Sequence, residues 1–180
     1  QESLRLTKLL DDILGMSALD RGERGWDNVP IEAEGSIDRA LEVCSALAQQ
    51  RRMQLSVGSR APSAMISGEP DRLCQVLINL ISNAIKYNDA DEPLVEVRSR
   101  TGRGRYTIEV QDNGPGIARA ERKLIFEKFA RGQSGGVTAP AGAGLGLAIS
   151  RQLIERMNGR LELLPGSGRG ACFRITLPLL

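Results

Sequence analysis

DRLCQVLINLISNAIKYN, residues 71–88, reads as one amphipathic helix, and the rest of the chain is organised around it. Leu73, Leu77, Leu80, Ile81, Ala84 and Ile85 recur at helical spacing and predict a buried face. Gln75, Asn79, Asn83 and Lys86 follow at steps of four, four and three, which stacks them in one stripe with Tyr87 beside it. A solvated helix face carries mostly Glu and Lys. Amides, one cation and one ring instead suit a metal-bound phosphate and a flat base. A half-buried helix whose amides bond to neighbouring backbone gives the same pattern, so this helix alone leaves both readings open.

Composition narrows the choice. The 180 residues suffice for one α/β domain and an appendage. The chain starts at Gln1 rather than Met and is expected to be a fragment. A net charge of +2 with both signs dispersed, and 3% aromatic residues, argue against nucleic-acid binding. No apolar run approaches the roughly 20 residues of a membrane span, and no signal peptide is visible. Cys44, Cys74 and Cys172 each lie in an apolar stretch and read as reduced core thiols of a cytoplasmic protein. The sequence has no histidine. That excludes a Ser-His-Asp triad, a Cys-His pair and the common catalytic zinc sites. There is no Walker A run either, so phosphate chemistry needs another cradle.

Outward from the central helix, residues 1–22 read as an amphipathic helix with Leu6, Leu9, Ile13 and Met16 on one seam, packed on its own domain or forming one arm of a helical hairpin. Strands are expected at 29–33, 54–57, 64–66, 94–100, 106–111, 160–164 and 171–177, and helices at 36–51, 119–129 and 144–158. Ser36 is the expected N-cap of the first of these helices, and Gly159 the stop of the last. Thr101 to Gly104 reads as a hairpin turn. Arg98, Arg100, Arg103 and Arg105 around it read as edge charges that discourage strand pairing, with a docking patch for an acidic partner as the alternative. Residues 130–143 are rich in glycine and poor in large apolar side chains, and read as a mobile flap.

Two glycine runs carry the remaining chemistry. Asp112-Asn-Gly-Pro-Gly ends a strand and sets a carboxylate at a sharp bend, where it can accept from an exocyclic amine; a plain tight turn is the alternative. Gly142-Ala-Gly-Leu-Gly-Leu147 opens a helix, where backbone N–H groups can cradle phosphate, although many such triplets are only flexible turns. In combination, Asn-x-x-x-Asn-x-x-Lys-Tyr, Asp-x-Gly-x-Gly, Phe-x-x-Phe and Gly-x-Gly-Leu-Gly resemble the N, G1, F and G2 boxes of sensor histidine kinases in the GHKL ATPase superfamily. The likeness covers residues 27–180 as a catalytic ATP-binding domain. Residues 1–22 resemble the second helix of that family's dimerisation and phosphoacceptor hairpin.

The resemblance implies an α/β two-layer sandwich, one mixed sheet with helices on one face. It implies ATP and Mg²⁺ as cofactors, with Asn83 on the metal, Asn79 in the metal and phosphate shell, Lys86 on a phosphate and Tyr87 stacked on the purine. Asp112 would take the adenine amine, with Gly114 and Gly116 shaping the base pocket. Phe126 and Phe129 would anchor the lid, and Lys128 or Arg131 would approach the γ-phosphate. Gly142, Gly144 and Gly146 would hold the phosphates, and Ile117, Leu145, Leu147 and Thr176 complete the implied nucleotide contacts. Relatives that hydrolyse ATP carry a Glu where this chain has Asn79. An amide is no general base, which favours a kinase over an ATPase. The implied phosphoacceptor His is absent and is expected upstream of Gln1. A response regulator receiver domain and a second copy of the chain, joined through the hairpin, are the implied partners, and the parent protein is compatible with a membrane anchor. A Ser/Thr anti-sigma-type kinase and a non-catalytic signalling scaffold are the alternatives.

Overall fold

The computed structural model describes residues 28–129, 144–165 and 170–180. The expected helix at 1–22, the expected flap at 130–143 with Arg131 and Gly142, and residues 166–169 between the last two strands lie outside the described residues. The elements run β1 (Val29–Glu32), α1 (Ala33–Gln50), β2 (Gln54–Val57), β3 (Met65–Gly68), α2 (Pro70–Tyr87), β4 (Leu94–Gly102), β5 (Arg105–Asp112), a 3-10 turn at Leu124–Phe126, α3 (Gly146–Arg156), β6 (Arg160–Leu163) and β7 (Cys172–Pro178). Strands order as β2-β4-β5-β7-β6 in a five-stranded sheet, while β1 and β3 form a separate ladder. The β2–β4 pair is parallel and the others antiparallel, so the main sheet is mixed, as expected.

The central helix α2 starts with Pro70 in its first turn, where a missing N–H costs nothing. Every residue expected on its apolar face is buried: Leu73, Leu77, Leu80, Ile81, Ala84 and Ile85. The alternating strand residues Val95, Val97, Ile108, Val110, Ile175 and Leu177 are buried in the same core. Each large apolar side chain removed from water there contributes about 1.5–3 kcal/mol. The three cysteines are free and buried, and burial pushes each thiol's pKa up. A polar staple ties α1 to this sheet. Glu34, in the first turn of α1, accepts from the buried Tyr106 hydroxyl at 2.5 Å, from Ser99 Oγ, and from Arg60 Nη1 at 2.9 Å. Burial, then the bond to Glu34, raises the tyrosine's pKa.

Four boundaries differ from expectation. Helix α1 begins at Ala33 with Glu32 as its cap residue, and Ser36 is buried inside the first turn rather than capping it. Only Leu124–Phe126 of the expected helix at 119–129 is helical, as a 3-10 turn. Its apolar residues Leu124, Ile125 and Phe126 are contiguous rather than spaced for a helix face. Helix α3 starts at Gly146, because Gly144 has φ +70°, outside helical space. At its other end the left-handed residue is Asn158, φ 56°, not Gly159. Asn158 N–H donates to Glu155 O and Gly159 N–H to Ile154 O, the bonding of a Schellman cap. Glycine is needed at 159 for space, since a Cβ there would lie 2.7 Å from Thr176 O.

The arginines also need a different account. Strands β4 and β5 are interior, so Arg98 and Arg100 guard no edge. Across β4, β5, β7 and β6, Arg98, Glu109, Arg174 and Glu162 stand in register as one row. Arg174 Nη2 lies 2.7 Å and Arg100 Nη2 3.3 Å from Glu109 Oε1. This row belongs to the sheet face opposite the buried one. Arg103 and Gly104, both with positive φ, make the two-residue hairpin turn, of the primed kind whose twist matches the strands.

Candidate functional site

Three elements meet along one edge of α2. Near the helix C-terminus lies the bend that follows β5. Asp112 Oδ1 accepts from Gly114 N–H at 2.9 Å and from Ala171 N–H at 3.1 Å. Burial pushes the Asp112 carboxyl's pKa up, and these two N–H donors hold it back. Close approach favours glycine at 114 and requires it at 116 and 170. A Cβ on Gly114 would sit 3.1 Å from Asn88 Cα, and one on Gly116 would sit 2.9 Å from Gly170 O. One on Gly170, φ +91°, would fall 1.9 Å from Asp112 O. The bend is stitched to α2 by amides. Asn88 Nδ2 donates to Asn113 Oδ1 at 2.9 Å, and Asn113 Oδ1 also accepts from Leu94 N–H at 2.8 Å.

Halfway along α2, the start of α3 closes on the same edge. A Cβ on Gly146 would lie 2.5 Å from Asn79 Oδ1. Asn79 Nδ2 donates to the buried Ser150 Oγ at 3.0 Å. The two contacts are therefore anchored at Asn79 and Asn88, separated by roughly 13 Å of helix. Asn83, Lys86 and Tyr87 lie on the stretch between them. Asn83 is half-buried, and its amide has no hydrogen-bond partner among the described residues, so it is open to a ligand. Tyr87 is 52% exposed, leaving its ring face available for stacking.

The remaining expected residues divide. Phe126 packs edge-on against Phe173, centroids 6.2 Å apart, with the Arg151 guanidinium 5.6 Å above its ring. Phe129 instead projects into solvent, 68% exposed, with φ 64°. Its N–H donates to Gly144 O at 3.0 Å, which joins the two ends flanking residues 130–143. Of the two phenylalanines, Phe126 packs against the core and Phe129 does not. Leu145 is fully buried and pins the glycine run to the core; Leu147 and Ile117 pack at the core's margin. Lys128 is exposed on the stretch that ends at Phe129. Thr176 is not part of the cluster. It pairs with Thr107 and Arg160, four residues along β7 from Cys172, which is roughly 13 Å of strand away from the Asp112 end. Asn88, Asn113, Ser150 and Gly170 carry the site's internal contacts and had no sequence-based role. An Asn straight after a helix, and one inside the Asp-Asn-Gly run, were the available signals for the first two.

A cavity of about 330 Å³ opens on the other side of Asn79, lined by Arg39, Val43, Cys74, Ile78, Ser150 and Leu153 among others. It touches Asn79 and Gly146 but not Asn83 or Asp112, so the polar edge of α2, rather than this cavity, defines the site.

A family model described as histidine kinase-, DNA gyrase B- and HSP90-like ATPase matches residues 68–180. The chain belongs to this ATPase family. The ATPase-family match begins just before α2 and takes in both glycine bends. The sensor histidine kinase MtrB of Mycobacterium tuberculosis (strain CDC 1551 / Oshkosh) is 34% identical over 176 residues, covering 98% of this chain and 31% of MtrB. The sensor protein TorS of Escherichia coli K12 is 34% identical over 180 residues, 97% of this chain and 19% of TorS. The chain thus spans under a third of the curated relatives it matches. Among solved structures, full-length ShkA in complex with AMPPNP matches with TM-score 0.82 and 30% identity, over 97% of this chain and 36% of ShkA. The mycobacterial sensor histidine kinase MprB matches with TM-score 0.69 and 28% identity, over 84% of this chain and 97% of MprB. No described helix is long and apolar enough to cross a membrane.

Proposed function

We propose that this chain is the ATP-binding catalytic module of a cytoplasmic sensor histidine kinase domain. In this reading residues 27–180 bind Mg²⁺-ATP. Residues 1–22 belong to a dimerisation hairpin, and the γ-phosphate passes to a His outside this sequence and then to an Asp of a response regulator. The observation that carries it is the open Asn83 amide, held on α2 between two glycine contacts about 13 Å apart, a span suited to a base at one end and a triphosphate at the other.

Asp112, fixed by two backbone donors, accepts from the base amine, and Gly114, Gly116 and Gly170 keep the pocket flat. Tyr87 covers the base. Lys86, and Lys128 or Arg131 from the lid side, neutralise phosphate charge, while N–H groups at the start of α3 receive phosphate oxygens. The donor set fits Mg²⁺. A neutral amide oxygen is a hard ligand, and the described residues hold no group of three acidic, Cys or His side chains, as suits a metal bound mainly through phosphates. Asn83 would hold the ion, which would supply charge neutralisation to the phosphates. Asn79, bonded to Ser150, cannot take a proton from water, so this reading expects slow hydrolysis and a γ-phosphate retained for its acceptor.

The test is calorimetry of Mg²⁺-ATP on the native chain and on Asn83→Ala, with circular dichroism alongside. Affinity at least about tenfold weaker with an unchanged spectrum is expected. Unchanged affinity removes Asn83 from the metal shell, and a native chain that binds no Mg²⁺-ATP removes the whole reading.

A further inference from the structure

We propose that Ser150, a residue outside the glycine run, is a positioning residue for the triphosphate end of the site, acting through Asn79. The inference rests on the nucleotide reading above and adds to it what sets the distance between the metal-carrying helix and the phosphate-binding helix end.

Asn79 is held on three sides. Its Nδ2 donates to Ser150 Oγ at 3.0 Å, and its backbone carbonyl accepts from Ser82 Oγ at 3.2 Å. Its carboxamide fills the space where a side chain on residue 146 would begin, since a Cβ there would be 2.5 Å from Oδ1 and 3.1 Å from both Cγ and Nδ2. The amide is thus a spacer between α2 and the first residue of α3, and Ser150 fixes which way it faces. Ser150 is only 2% exposed, so its hydroxyl is held in place by the packing around it. Without that oxygen, the Nδ2 donor is left in a half-buried setting and the carboxamide turns to find a partner. Turning it moves Oδ1 against Gly146 Cα, which shifts the start of α3, and with it the N–H groups that receive phosphate. Asn83, one turn further along α2, stays where it is. The base end, bonded through Asp112, Ala171, Asn88 and Asn113, shares none of these contacts. The loss therefore falls on phosphate binding and spares base binding.

Calorimetry with two probes, Mg²⁺-ATP and adenosine, tests this on the native chain, Ser150→Ala, Ser150→Thr, Asn79→Ala and the Asn79→Ala/Ser150→Ala double variant. Ser150→Ala is expected to weaken Mg²⁺-ATP about five- to tenfold, the value of one hydrogen bond, with adenosine affinity unchanged. Ser150→Thr, which keeps the hydroxyl, restores ATP affinity. The double variant matches Asn79→Ala alone, because Ser150 acts only through that amide. Equal losses for both probes, or additive losses in the double variant, overturn the positioning role in favour of general packing. Should the threonine methyl prevent folding, the double variant decides. A native chain that binds Mg²⁺-ATP beside a Ser150→Ala chain that binds it equally well overturns this inference and leaves the catalytic reading standing. A native chain that binds none overturns both.

Discussion

The two ends of the polar edge on α2 are built differently. At the Asp112 end, two backbone segments meet: Asp112 N–H donates to Ala171 O, Ala171 N–H donates to the Asp112 carboxylate, and Gly170 packs so close that a methyl group would fall 1.9 Å from a carbonyl oxygen. At the Gly146 end, a backbone meets one side chain, Asn79, oriented by one hydroxyl. The first end cannot move without breaking the sheet's margin. The second can move by a rotation about a side-chain bond. A rigid recess suits recognition of a flat base, and an adjustable gap suits a triphosphate that must be gripped and released.

The same substitution at the two ends should break them unequally. Gly170→Ala meets both a backbone clash and a left-handed φ, and is expected to lose about 3 kcal/mol or more, measured by denaturant unfolding. Gly146→Ala meets only the end of a flexible side chain, so about 1 kcal/mol is expected, with Mg²⁺-ATP binding weakened about tenfold and adenosine binding retained. Equal destabilisation by the two would erase the contrast.

Acidity sharpens it further. Burial raises the Asp112 pKa above the ordinary 3.8, so ionising this carboxyl is harder in the fold than in the unfolded chain. Its contribution to stability is complete below the ordinary value and is lost as pH rises through the folded pKa. Binding runs the other way: Oδ1 is taken by two backbone N–H groups, and only in the carboxylate is Oδ2 free of a proton and able to accept from a base amine. Nucleotide affinity is therefore expected to fall as pH drops from about 7 towards about 4, with a midpoint above the usual carboxylate value. Asp112→Asn should flatten that profile and reduce the preference for ATP over GTP. The smallest effect belongs to Phe129, an exposed residue held at φ 64°. Phe129→Gly relieves the backbone, and thermal unfolding should show a change within about 1 kcal/mol.

The apolar face of α2 was legible because its spacing is local, and so were Asp112 and its two following glycines. The hairpin turn was legible from Gly104. What the sequence concealed was pairing at a distance. Ser150 reads as an ordinary polar residue on a helix until α3 folds against Asn79, 71 residues away. Gly170 reads as one glycine of a flexible run, yet its constraint comes from Asp112. Thr176 was misplaced for the same reason: the strand was evident, but its register, which puts Cys172 opposite Gln111 and Thr176 opposite Thr107, was not. The arginines of β4 looked like edge residues because strand order is invisible in one sequence.

One short bond has an engineering consequence. Phe129 N–H meets Gly144 O, so residues 129 and 144 are held side by side. For a connection between two ends fixed in that way, doubling its length costs only about 0.6 kcal/mol of closure entropy. The interval between residues 129 and 144 is therefore a natural place to graft, lengthen or label the protein, with the described strands and helices left to assemble as before.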